Sequence, residues 1–158
     1  MIIGIVMFGR GKPNSASYIG FVATKDDMMY QYYSYPYIFD TSNKADVLMQ
    51  ACKDAIEAYK SCNNGKIPNR VIVYREGVAE SMDREIMATE VKPIGDAIGH
   101  PNGVEYTYLI VNKRISVKLF LPKGPTYDNP PMGTIVDSGI SRKDGYDFYM
   151  VPLTGKAD

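Results

Sequence analysis

The sequence predicts an α/β fold in which a mixed central sheet is flanked by helices. Three observations carry this. Met1 to Phe8 is almost wholly apolar and rich in branched side chains, the pattern of a strand buried on both faces. Leu48, Ala51, Cys52, Ala55, Ile56 and Tyr59 recur at spacings of three and four, which is one apolar stripe on a helix. Arg70 to Tyr74 is short and strongly apolar, as strands in the middle of a sheet are.

Taken in order, the opening strand is ended by the loop Gly9 to Ser15, with Gly9, Gly11 and Pro13. Tyr18 to Thr24 makes a second strand, and Lys25-Asp26-Asp27 turns into a tyrosine-rich third, Met29 to Phe39. Pro36 in that strand predicts a sheet edge or a bulge. Thr41 and Ser42 are candidate N-caps of a helix running to Cys62, closed by Asn63-Asn64-Gly65. After the strand at Arg70, a second helix is expected from Glu80 to Val91, ended or kinked by Pro93, and Tyr106 to Val111 supplies another central strand. The last third adds β-like stretches at Val117 to Leu121, Thr134 to Val136 and Asp147 to Val151, separated by the Pro/Gly-rich segment Pro122 to Gly133. Three neighbouring strands, then helix, strand, helix, strand, is the ribonuclease H-like order, with later strands joined by crossovers.

The 158 residues suffice for one domain with a real core. Eighteen basic residues balance eighteen acidic ones, so no global field draws the chain to nucleic acid or anionic lipid, and any such contact must be local. No apolar run approaches the roughly 20 residues of a membrane span, and no secretory signal opens the chain. An intracellular protein, cytoplasmic or nuclear, is expected. Cys52 and Cys62 would lie about 15 Å apart along one helix, too far to bridge, so both are read as free thiols. With His100 far along the chain and no CxxC pair, they make a poor zinc set.

Four ordered motifs are more specific. Tyr74-Arg75-Glu76-Gly77-Val78 ends the predicted strand 70–74. Leu109-Ile110-Val111-Asn112-Lys113-Arg114 ends the next, followed by Asn129-Pro130-Pro131-Met132-Gly133-Thr134-Ile135-Val136-Asp137 and Asp147-Phe148-Tyr149. With Gly4-Ile5 and Gly20-Phe21-Val22-Ala23, these resemble, nearly end to end, the Piwi domain of the Argonaute/Piwi family. The resemblance implies one Piwi-like, ribonuclease H-like domain over residues 1–158, as a fragment of a larger protein. It also implies binding of a small guide RNA and its target in RNA-mediated silencing.

Slicing members of that family hold two divalent metals with converging carboxylates. The family's first acid follows Gly-Ile on the opening strand, where this chain has Val6, and no Asp or Glu precedes Asp26. The second falls on Glu76, a methylene longer than the family's Asp, and the inserted acid falls around Ser42 to Lys44, with Asp46 nearby. No slicer catalysis and no cofactor are therefore expected. Mg or Mn would enter only if a divergent nuclease used Glu76, Asp46 and Asp137.

The positions that the resemblance implies for guide phosphates are Lys113, Arg114, Lys118 and Arg142, the first three in the locally basic stretch Lys113 to Lys123. The bland alternative for these cations is a solvated hairpin. For Glu76 it is a turn carboxylate or a partner of Arg75, and for His100 a surface loop histidine. The tyrosine-rich strand is assigned to packing rather than base stacking. A second function class is a protein-interaction module taking tryptophan-containing peptides of silencing partners.

Overall fold

In a computed structural model, which describes residues 1–9, 16–40, 42–77, 82–113, 115–140 and 146–152, the opening strand is Ile2–Phe8 (β1). Its side chains alternate: Ile3 and Ile5 are buried, whereas Gly4 and Val6 are half-buried and Phe8 is exposed. One face is buried rather than both, because the helices of this unit pack on a single side of the sheet. Ser17–Thr24 (β2) runs antiparallel to β1, and Tyr32–Phe39 (β3) antiparallel to β2. The third strand starts later than expected. Lys25 N–H bonds to Gln31 O at 2.8 Å, and Met29 takes φ 58° in the turn between them. Pro36 lies on an edge strand, as predicted, where a missing N–H costs no ladder bond.

Arg70–Glu76 (β4) pairs parallel with β1 and with Glu105–Val111 (β5), giving the order β3-β2-β1-β4-β5. Among the described residues β5 is therefore an edge, not a central strand. Its exposed residues Thr107, Ile110 and Val111 reflect that position.

Lys44–Cys62 forms α1, and its buried side chains are Leu48, Ala51, Cys52, Ala55, Ile56 and Tyr59, the stripe read from periodicity. The cap differs from expectation. Asn43 is the N-cap and makes no side-chain cap bond. Ser42 is held outside the helix instead, because the Asp40 carboxylate accepts the N–H groups of Ser42 (2.8 Å) and Asn43 (3.0 Å). Thr41 lies outside the described residues. At the other end Asn63 is the C-cap, and Asn64 and Gly65 take φ 53° and 78°, the left-handed values that close a helix.

The second helical stretch is longer than predicted. Asp83–Ile86 (α2) passes through a π-helical turn, Met87–Val91, into Lys92–Ile98 (α3), which ends on Gly99 at φ 86°. Pro93 does not end the run: it follows directly on the π-helical turn, and Val91 and Lys92 before it keep right-handed helical backbone angles. Glu80 lies outside the described residues.

The core of this unit, Met1–Lys113, joins Ile3 and Ile5 with Ile19, Phe21, Val71 and Val73 from the sheet. Leu48, Ala51, Cys52, Ala55, Ile94 and Ile98 meet them from the helices. Each large aliphatic side chain so buried contributes roughly 1.5–3 kcal/mol. Tyr33 and Tyr37 pack edge-on against Phe21, and their hydroxyls chain to Asp54 (2.6 and 2.8 Å), so these two tyrosines serve packing. Cys52 and Cys62 are both free; burial pushes the Cys52 thiol up to about 12, leaving it inert.

The second unit, Arg114–Asp158, holds two small ladders. Leu121–Lys123 (β6) pairs with Thr126–Asp128 (β7), and Ile135–Val136 (β8) with Tyr149–Met150 (β9). The strand expected at Val117 thus begins only at Leu121. The Pro/Gly-rich segment is itself a hairpin turning at Gly124, φ 60°.

Two charged groups are buried among the described residues of the first unit, Arg75 and Glu90. Glu90, 1% exposed, sits on the π-helical turn and accepts Arg75 Nε at 2.9 Å, Tyr108 Oη at 2.7 Å and Lys44 Nζ at 3.3 Å. Burial pushes its carboxyl pKa up, but hydrogen bonds from Arg75 and Tyr108 and the charges of Arg75 and Lys44 outweigh this, so the pKa is lowered. A lowered folded value means that the carboxylate's contribution is complete above the unfolded pKa of about 4.3 and is lost as pH falls through the folded value. Acid titration of unfolding should therefore show stability falling below about pH 4 in the wild type, with that component absent in Glu90→Gln. Denaturant unfolding at neutral pH should find Glu90→Gln less stable by about 3–5 kcal/mol, since Arg75 is left buried without its counter-charge.

Candidate nucleic-acid interface

β1 and β4 run parallel with Ile5 opposite Arg75, and the next residues are Val6, two short of the end of β1, and Glu76, the last of β4. On the face opposite the helices, Gly4, Val6, Gly20, Val22, Pro36 and Tyr74 line an apolar groove of about 570 Å³, with Glu76, Val111 and Lys113 at one end. Two glycines give this surface its shape. A Cβ on Gly20 would stand 2.8 Å from Val6 Cγ1, and one on Gly4 3.0 Å from Val22 Cγ1, so only glycine lets the two valines lie flat.

The end of β4 is pinned on both sides. Gly77 N–H donates to Val111 O at 2.9 Å, tying it to the end of β5, and the Arg75 guanidinium donates to the Glu76 carbonyl. Lys113, two residues beyond β5, is thereby brought to Glu76, and its Nζ lies 2.8 Å from Glu76 Oε1. The side chains are 69% and 45% exposed, so this is a solvated pair at a rim. Arg75 meanwhile directs its Nε to Glu90, not into the groove.

The two divalent metals that the resemblance implies would find few oxygen ligands among the described residues here. The neighbour of Glu76 on β1 is a hydrocarbon side chain, and the Glu76 carboxylate is engaged by an ammonium. Among the described residues no three His, Cys, Asp or Glu side chains gather as a ligand set. Asp46 is exposed on the first turn of α1, and Asp137 belongs to the second unit.

Of the four predicted phosphate contacts, Lys113 is exposed at the end of the first unit's sheet and Lys118 is exposed on an irregular stretch of the second unit. Arg114 and Arg142 lie outside the described residues. Lys123, also in the basic stretch, is paired with Asp128 at 2.9 Å. His100 is an exposed residue of a 3₁₀ turn, His100–Asn102, its Nδ1 2.9 Å from Val104 O.

Sequence reasoning passed over the Glu90 cluster behind this site. A signal existed: Ile86, Glu90, Ile94 and Ile98 follow one another at spacings of four, an acid in the middle of an apolar stripe, and all four are buried. Lys44, within the stretch Ser42 to Lys44 where the resemblance implies an inserted acid, contributes a cation to that cluster.

A sequence profile described as the Piwi domain matches residues 1–157. Piwi-like protein Ago3 of Bombyx mori is 34% identical over 156 residues, covering 96% of this chain and 17% of that protein. The crystal structure of Drosophila Piwi superposes with a TM-score of 0.77 at 23% identity, covering 98% of this chain and 21% of the other. Kluyveromyces polysporus Argonaute with a guide RNA superposes with a TM-score of 0.62 at 20% identity, covering 89% of this chain and 19% of the other. The chain thus spans about a sixth of the length of the curated relatives it matches. The family match runs along nearly the whole chain, and the chain belongs to the Piwi domain family.

Proposed function

We propose that this chain is the part of a Piwi domain that holds the sugar-phosphate backbone of a small guide RNA paired with its target, without cutting it. The observation that carries the reading is the strand-end constellation: Val6 where the first metal-holding acid would stand, and Lys113 exposed beside Glu76. Two divalent ions need several converging oxygens within a few ångströms. Hydrocarbon from β1 and a lysine-bound carboxylate from β4 do not supply them. Cations at a strand end suit phosphate oxygens, which supply affinity and register without sequence preference. The bound strand would then act by recruitment, with Lys113 and Lys118, and Arg114 and Arg142 as the resemblance implies, neutralising its phosphates.

A second reading is favoured by one observation. The groove over Gly4, Val6 and Gly20 is apolar and within the size range of sites that take an aromatic side chain. Because the chain has no tryptophan, the indole fluorescence of a tryptophan-containing peptide would report its occupancy directly.

Binding of a 5′-phosphorylated single-stranded RNA, followed by anisotropy across a salt series, tests the first reading. Lys113→Ala and Lys118→Ala should each weaken binding several-fold and flatten the slope of log K against log salt, Lys118→Ala by about 0.7 and Lys113→Ala by less. Incubation of paired RNA with Mg²⁺ or Mn²⁺ should leave every phosphodiester intact. Cleavage at one position that disappears in Glu76→Ala would replace this reading with a divergent nuclease.

A further inference from the structure

We infer that the Glu76 carboxylate is an internal competitor for Lys113, occupying in the free protein the ammonium that a nucleic-acid phosphate would take; this rests on the backbone-binding reading above. The contact is built in by the fold. Glu76 ends β4 and Lys113 follows β5, 37 residues apart in sequence, and they meet because the β4–β5 ladder pairs Glu76 with Val111. Past that pair, the Gly77 N–H bond to Val111 O holds the two strand ends together, and the Arg75 bond to the Glu76 carbonyl steadies the end of β4. The carboxylate is thus tethered 2.8 Å from the ammonium, and a tethered group competes at an effective concentration of the order of millimolar with any phosphate arriving from solution.

The chemistry favours exchange over permanent blockage. Both side chains are substantially exposed, and exposed ion pairs are worth about 0.2–1 kcal/mol. A polyanionic strand offering several phosphates at once can displace such a partner, whereas an isolated phosphate would gain little. Glu76 would thereby tune the site toward strands that engage further cations at the same time. At the rim of an otherwise apolar groove it also spares Lys113 from standing as an uncompensated charge.

The test is a double-mutant cycle in the full chain, with 5′-phosphorylated single-stranded RNA and, separately, inorganic phosphate. Glu76→Gln keeps the side chain's size while removing its charge, and circular dichroism with thermal unfolding establishes that each variant is folded. Glu76→Gln should tighten RNA binding about two- to fivefold at low salt and steepen the salt slope by up to about 0.7. In a Lys113→Gln background the same substitution should gain markedly less. Inorganic phosphate should bind weakly to all four proteins. If the wild type binds RNA and Lys113→Gln weakens it, but Glu76→Gln leaves affinity and slope unchanged, the competitor role is overturned and the backbone-binding reading stands. If Lys113→Gln has no effect on RNA binding, the reading itself fails. An equal gain from Glu76→Gln in both backgrounds would mean that Glu76 acts as a general negative charge, not as the partner of Lys113, and would also overturn the inference.

Discussion

Glu90 carries its charge into the core at the meeting point of β4, β5, α1 and the π-helical turn, and it stays ionised there only because each of those neighbours gives it a partner. Arg75 reaches it from β4, Tyr108 from β5 and Lys44 from the first turn of α1. A buried carboxylate without such partners would cost several kcal/mol, so these elements can adopt their positions only together. The π-helical turn is part of the same solution. It widens the helix at the point where Glu90 faces the sheet, and α3 resumes with Pro93 in its first turn.

The consequences extend to the groove side of the sheet. Arg75 faces the helices while Glu76, its successor, faces outward, because side chains alternate along a strand. Fixing the guanidinium against Glu90 therefore fixes the backbone that carries Glu76, and the Arg75 bond to the Glu76 carbonyl shortens that linkage to a single residue. The outward face shows the opposite design from the core. Glycines at positions 4 and 20 leave space that the valines at 6 and 22 only partly fill, and a shallow apolar trough results with its charges confined to one end. Charges at a rim exchange partners readily, and those in a core do not.

Much of the fold was readable from the chain. The buried stripe of α1 appeared residue for residue, since a helix's 3.6-residue period is set by local backbone geometry and survives in any tertiary context. The helix end at Asn63 to Gly65 and the edge position of Pro36 were equally local matters of φ and of a missing donor. Errors fell where a competing local interaction or a distant neighbour intervened. Asp40 accepted the N–H groups of Ser42 and Asn43 and so held Ser42 ahead of the helix, and the apolar run at Tyr106 could not reveal that its outer side would meet no further strand among the described residues.

For the site, the resemblance singled out Val6 and Glu76 as positions of metal-holding acids and Lys113, Arg114, Lys118 and Arg142 as phosphate contacts. The parallel register of β1 and β4 is what brings Val6 and Glu76 onto adjacent strands. What could not be read there is which charges meet. Lys113 finds Glu76 across 37 residues, Lys44 finds Glu90 across 46, and Arg75 finds Glu90 rather than the adjacent acid. Ion pairing depends on distance in space and on desolvation, neither of which leaves a trace in spacing along the chain, so these partnerships exist only once the sheet and helices have been brought together.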